Sequence, residues 1–148
     1  MQNITVKKAE NLRDFGFVSY IRTSVYIIEQ DCPCLEEFDE KEDEAVHYLG
    51  WVDGNPVTTC RILFPQDGLA RIGRIATLEN HRGKGYASKL IKEMIAMIRK
   101  DRTIEEIQMS AQDHALGLYE KLGFKTFGEG YLSSGIPHHM MSLSLRRS

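Results

Sequence analysis

Cysteine is scarce in this chain. Only Cys32, Cys34 and Cys60 are present, too few for a disulfide framework. Cys32-Pro33-Cys34 has the spacing of half a zinc site, yet Cys60 and the pair His138-His139 are the only other soft ligands. A structural zinc wants four, so the thiols read as reduced and structural, with no metal. Long apolar runs are lacking too: none approaches the ~18 residues of a spanning helix. The opening MQNITVKKAE carries no apolar signal-peptide core. An excess of either charge is also missing, with 19 Lys and Arg against 21 Asp and Glu, net −2. Neither nucleic acid nor an anionic membrane is suggested by that balance, and no basic face interleaved with aromatics appears. The expectation is a cytoplasmic protein with no nucleic-acid or membrane partner. Repeats, linkers and low-complexity tracts are absent, so residues 1–148 read as one domain. Its 42% hydrophobic content is enough for a real core.

What is there has clear periodicity. Ile4 to Ala9 alternates as a first strand. Asn11 can cap a helix with apolar positions Leu12, Phe15, Val18, Ile21, Val25 and Ile28. Ala45 to Val52 and Val57 to Phe64 flank an Asp-Gly-Asn-Pro turn and form a hairpin, and Leu69 to Thr77 extends it into a meander. Ala87, Leu90, Ile91, Met94, Ile95 and Ile98 form the apolar face of a second helix. A short strand follows over Ile104 to Ser110, then a helix over Asp113 to Leu122 that Gly123 ends. Phe124 to Gly128 and His139 to Leu145 read as the last strands. The order β-α-β-β-β-α-β-α-β-β implies one mixed α/β sheet with helices on its faces. The strands on either side of the second helix should be parallel with a right-handed crossover.

Two segments carry chemistry. Asp31 to Glu44, DCPCLEEFDEKEDE, holds eight acidic residues and one lysine and reads as a loop. Asn80 to Leu90, NHRGKGYASKL, places Gly83 and Gly85 beside Arg82 and Lys84, just before a helix. A helix N-terminus has unpaired N–H groups and a positive dipole end. Glycines there let the backbone approach an anion closely. The Walker pattern fails because Gly85, not Ser or Thr, follows Lys84. The dinucleotide fingerprint nearly fits at Gly83-x-Gly85-x-x-Ser88, but it lies mid-chain after a meander. The pattern that fits is Arg/Gln-x-x-Gly-x-Gly/Ala, met by Arg82, Gly85 and Ala87. A glycine-rich turn with solvated charges is the simpler alternative.

That loop resembles the pyrophosphate loop of the GNAT superfamily of N-acetyltransferases. The preceding strand, Arg74-Ile75-Ala76-Thr77, and the later Ala115, Tyr119, Gly123 and Phe124 fit the same pattern. Gln112 stands where many members have Asn. Upstream, Arg22, Val25-Tyr26-Ile27-Ile28-Glu29-Gln30, Cys32-Pro33, Glu37, Asp39, Asp43 and His47, with Gly135 to His138 later, resemble the ElaA-like branch. The resemblance implies an α/β (α+β) fold: a mostly antiparallel mixed sheet, a splayed parallel central strand pair, and helices on both faces. It implies acetyl-CoA as co-substrate and a small-molecule or peptide amine as acceptor. Ile75, Ala76 and Thr77 would pair with the pantetheine arm. Arg82, Gly83, Lys84, Gly85, Tyr86, Ala87 and Ser88 would hold the pyrophosphate. Tyr119 matches the family's general acid, with a core tyrosine as the alternative. Glu29, His47 and His138 are candidate bases, and a water chain is another. Glu37, Asp39 and Asp43 could draw a cationic amine to the site, or simply form a solvated loop. A homodimer is compatible with the family. The competing reading of the same fold is a non-catalytic acyl-CoA sensor or interaction module.

Overall fold

The computed structural model describes residues 3–145. Strand β1 (Thr5–Lys8) leads into α1 (Leu12–Arg22). The Asn11 side chain accepts from the Asp14 amide at 2.8 Å, a direct N-cap. From Thr23 to Glu29 the helix widens into a π-turn. After it come a short α2 (Cys34–Glu37), a 3-10 turn (Glu40–Asp43) and the meander β2 (Val46–Val52), β3 (Asn55–Gln66) and β4 (Leu69–Thr77). Then follow α3 (Tyr86–Arg99), β5 (Glu106–Gln112), α4 (Leu116–Glu120), β6 (Lys125–Ser133) and β7 (Ile136–Ser144). The seven strands form one sheet in the order β1-β2-β3-β4-β5-β7-β6. Among the described strands, only β4 and β5 pair in parallel. The expected fold class is therefore the observed one.

Helices cover both faces. On one, Leu90, Ile91, Met94 and Ile98 of α3 pack against Ile62, Ile72, Ile107 and Met109 of the sheet, all essentially buried. Each such side chain contributes about 1.5–3 kcal/mol relative to exposure. On the other, Val18, Ile21 and Val25 pack against Leu49 and Ala76. The first helix departs from its expected apolar stripe. Leu12 is 91% exposed and Ile28 73%. The π-turn takes more residues per turn than an α-helix, so it shifts the helical phase after Arg22. Ile28 rotates out, and the Tyr26 hydroxyl instead donates to the Ile75 carbonyl at 2.5 Å. The last two strands are longer than expected. Ser134 and Gly135, both at positive φ, close a tight hairpin between β6 and β7.

The acidic segment is not an open loop. Arg22, with 0% exposure, donates to Glu37 at 2.6 Å and to Glu42 at 2.7 and 2.9 Å. Arg61 grips Asp39 with both terminal nitrogens, at 2.9 and 3.0 Å, and meets Glu42 at 3.0 Å. Arg74 reaches Glu37 at 3.3 Å and Asp39 at 3.4 Å. Three arginines thus face three carboxylates, with His47 at the margin against the Glu42 carbonyl. Removing one member of such a cluster strands a buried charge.

Two outcomes are expected. Arg22→Met should cost about 3–5 kcal/mol, measured by chemical unfolding, because Glu37 is 3% exposed. Stability should also fall in acid in two stages. Burial lowers the His47 imidazole from its ordinary 6.5, and its buried Nδ1 has no partner. The unfolded chain therefore takes up a proton that the fold resists, and stability declines as pH drops below about 6.5. Arg61 holds the Asp39 carboxyl down to about 2. Burial alone would raise Glu42, but Arg22 and Arg61 hold it to about 2 as well. Their stabilisation is complete above about pH 4.5 and lost as pH falls toward 2. A profile flat down to about pH 4.5 would show that His47 protonates freely in the fold.

Candidate active site

The site begins where the sheet comes apart. Parallel pairing of β4 with β5 covers only Leu69, Ala70 and Arg71, opposite Glu106, Ile107 and Gln108. Beyond Arg71 the strands diverge. On its other side β4 carries a bulge. Thr59 pairs with Ala76 but Arg61 with Gly73, so Arg74 and Ile75 together oppose Cys60. Arg74 sits at φ 50°, an uncommon place for a side-chain-bearing residue. Its guanidinium is held by the Glu36 and Glu37 carbonyls, both at 3.1 Å. A cavity of about 640 Å³ opens along the gap.

At one end of the cavity lies the glycine loop. Gly83 and Gly85 have φ of 76° and 80°, which is why glycine is needed there. A Cβ on either would meet nothing within 4 Å, so the space in front of both is open. Among the described residues, none of the amides from Gly83 to Ser88 finds a backbone acceptor, and no side chain caps α3. These N–H groups stand ready for an external anion. Arg82 lies beside them. Its Nε donates to the Thr77 carbonyl at 2.9 Å, and its terminal nitrogens grip Glu29 at 2.8 and 2.6 Å. Gly83, Gly85, Ala87 and Ser88 line the cavity, but Lys84 does not. The Tyr86 side chain is buried against Val52 and Val57, which leaves its backbone for the site.

Ile75, Ala76 and Thr77 form the wall leading away from the loop. Tyr119 belongs to the lining as well. It is 7% exposed and stands edge-on to Phe124 with centroids 6.5 Å apart. Burial, with a smaller push from Cys60, raises its hydroxyl well above the ordinary 10, so it stays protonated. Opposite, β7 supplies His138, in register with Gln112. The His138 ring stacks on Tyr131 with centroids 5.8 Å apart. Its Nδ1 lies 2.6 Å from the Ile136 carbonyl. A carbonyl only accepts, so Nδ1 carries the hydrogen and Nε2 keeps its lone pair in the neutral ring. Gln112 exchanges hydrogen bonds with Gln30 of the segment after the π-turn.

Several expected site residues lie elsewhere. His47 is buried outside the cavity, packed edge-on to Phe15. Glu29 is bound to Arg82 and does not line the cavity. Glu37 and Asp39 do not line it either, because arginines from α1, β3 and β4 consume their charge. Asp43 stands in the 3-10 turn, outside the lining. The site also has members that the sequence reading passed over. Tyr26 lines it by virtue of the π-turn. Arg61, Arg71 and Arg74 line it too, and their visible signal was an arginine recurring on strands otherwise read as apolar.

Residues 25–145 match the acetyltransferase (GNAT) domain family. The uncharacterized N-acetyltransferase YjcF of Bacillus subtilis is 31% identical over 142 residues, covering 95% of this chain and 98% of its own. The crystal structure of an acyl-CoA N-acyltransferase from Pseudomonas aeruginosa is similar with TM-score 0.83 and 28% identity, over 97% of this chain and 99% of that one. Escherichia coli ElaA has the same fold, with TM-score 0.84, 23% identity and the same coverage.

The loop geometry yields a direct expectation. Arg82→Gln removes the positive charge beside the open amides and leaves their backbone in place. CoA affinity, measured by calorimetry, should fall about tenfold, or about 1.4 kcal/mol. An unchanged affinity in the folded variant would assign Arg82 to Glu29 alone.

Proposed function

The chain belongs to the GNAT acetyltransferase family, and on that premise we propose that it transfers an acetyl group from acetyl-CoA to a primary amine by direct attack. The observation that carries this reading is the row of open amides from Gly83 to Ser88, continuous with a cavity between two parted strands. Those amides and Arg82 suit a pyrophosphate. The edge of β4 beyond Arg71 has no ladder partner in β5, and pantetheine amides can supply one along Ile75, Ala76 and Thr77. That arrangement carries the thioester toward Tyr119 and His138.

The chemistry assigns each group a proton. The acceptor nitrogen must be neutral to attack the thioester carbonyl. An amine of ordinary pKa ~10.4 is mostly protonated at neutral pH, so a base is required. His138 is the fitting candidate, because its hydrogen bond to Ile136 leaves Nε2 open. Glu29 and His47 are poorer bases for this step, the one tied to Arg82 and the other outside the cavity. Attack forms the C–N bond and places negative charge on the carbonyl oxygen. A backbone N–H at the β4 bulge can take that charge. Collapse breaks the C–S bond, and the Tyr119 hydroxyl donates its proton to the departing sulfur. The raised pKa of Tyr119 keeps that proton available at neutral pH.

A panel of amines with acetyl-CoA, read by free thiol and product mass, identifies the working acceptor. Tyr119→Phe then keeps the ring and removes only the hydroxyl. With that acceptor, kcat should fall about ten- to a thousandfold. CoA affinity should barely change, since the interaction is made in the transition state. Full activity in a folded Phe variant would reduce Tyr119 to a packing residue.

A further inference from the structure

We propose that the acceptor is an amine bearing a carboxylate, and that Arg71 holds that carboxylate. The proposal rests on the acetyl-transfer reading above and concerns only the acceptor half of the site.

Among the described residues, no Asp or Glu lines the cavity, while four arginines do: Arg61, Arg71, Arg74 and Arg82. Three of them are already matched. Arg61 grips Asp39 and Glu42, Arg74 reaches Glu37 and Asp39, and Arg82 grips Glu29. Among the described residues, Arg71 has no carboxylate partner. Its one side-chain hydrogen bond there runs from Nη2 to the Gln108 Oε1 at 3.2 Å, and its Nε is buried without a partner. Gln108 is itself steadied by donating to Glu106 at 3.0 Å, which fixes its oxygen toward Arg71. A guanidinium has five N–H donors, so most of the Arg71 fork is unused. A buried donor left unpaired is costly, and a carboxylate matches the fork with two parallel bonds.

The location fits an acceptor rather than CoA. Ala70 and Ile72, the neighbours of Arg71, pack into the core under α3. Strand alternation therefore points Arg71 to the opposite face, toward α1. Arg71 is the last residue of β4 paired with β5, whereas the pyrophosphate loop follows the far end of that strand. At ~3.3 Å per residue, Arg71 and Thr77 are ~20 Å apart along β4. The CoA phosphates cannot serve both ends. On the same face, Ser133 also lines the cavity and offers a hydroxyl to a small polar body, while the Ser110 hydroxyl is bonded to that of Tyr131. A cationic polyamine would bring its second ammonium to arginine and histidine with no acid to meet. An amino acid brings one amine for acetylation and one carboxylate for Arg71.

The test uses matched acceptors with the full-length protein and acetyl-CoA. Each amino acid, α- and ω-amino, is compared with its carboxamide, its decarboxylated amine and its aminophosphonate analogue. Thiol release and product mass give kcat/KM. The carboxylate member should exceed its carboxamide by at least about tenfold. In Arg71→Gln that preference should collapse, mainly through KM, and Arg71→Lys should restore part of it. CoA affinity by calorimetry should be unchanged in both variants. Melting temperature with CoA and each acceptor gives a second readout free of turnover, and only the carboxylate member should raise it. The proposal falls if carboxamides or polyamines are used as well as carboxylates, if the phosphonate is preferred, if Arg71→Gln keeps the preference, or if neither readout favours the carboxylate. Turnover confined to amines without an acid would sink it and leave acetyl transfer standing. Failure to bind CoA at all would sink acetyl transfer itself.

Discussion

Parallel pairing between β4 and β5 ends at Arg71, and a sheet that parts in its middle must account for every backbone group it leaves behind. Backbone groups alternate between the two edges of a strand, so Ile75 and Thr77 face the gap while Ala76 faces β3. The Ile75 carbonyl takes the Tyr26 hydroxyl at 2.5 Å and the Thr77 carbonyl takes Arg82 at 2.9 Å, while the Ala76 carbonyl takes Thr58 of β3 at 2.9 Å. Two side chains from separate elements thus meet the two carbonyls on the open edge, and the amides of Ile75 and Thr77 remain for an incoming strand-like partner. The π-turn belongs to this solution, because it carries Tyr26. An α-helical continuation would change the phase of every residue after Arg22. A widened turn in one helix and a gap in the sheet are thus parts of one device.

The ionic cluster holds the other side of the gap. Arg74, at the bulge, is fastened to the carbonyls of Glu36 and Glu37, and Arg61 on β3 to Asp39. The segment over residues 31–44 is thereby tied to the two strands that shape the cavity. Its far contact is with the β6–β7 hairpin, where Ser134 donates to Glu36 at 3.3 Å and lies 3.4 Å from the Cys32 sulfur. Buried ion pairs repay little net stability against apolar packing. What this cluster supplies is position. It sets the φ 50° backbone of Arg74 in one arrangement and brings His138, just past that hairpin, to one wall.

Much of this was legible in the sequence. The element order, the mixed sheet and the glycine loop follow from period, turn chemistry and one pattern of spaced residues. Ala115, Tyr119, Gly123 and Phe124 added a second, distant pattern, and two of its members, Ala115 and Tyr119, line the same cavity. The parts that were not legible share a cause. A π-turn is a change of backbone phase, and nothing in Val25-Tyr26-Ile27-Ile28 marks it against an α-helix. The full β6–β7 hairpin was hidden because the strand reading stopped at Gly128 and resumed at His139, with Gly130 and Pro137 between, although strand pairing continues there from Tyr131 to His138. Glu37 and Asp39 looked like a surface that would draw a cation, since sequence counts charges but does not say which are opposed.

That last difference changes the chemistry of the site. Eight acidic residues in a fourteen-residue stretch suggest a negative field. Once Glu37, Asp39 and Glu42 are set against Arg22, Arg61 and Arg74, the cluster is neutral, and little of its field reaches the cavity. The wall then takes its sign from what the cluster leaves over. On β4 the side chains at 71 and 74 are both arginines, but among the described residues only the second has carboxylates within reach. A low-dielectric cavity magnifies one unmatched charge more than it registers several matched ones. The acidic segment therefore shapes acceptor choice by removing competing cations from the wall, which leaves Arg71 to set its sign.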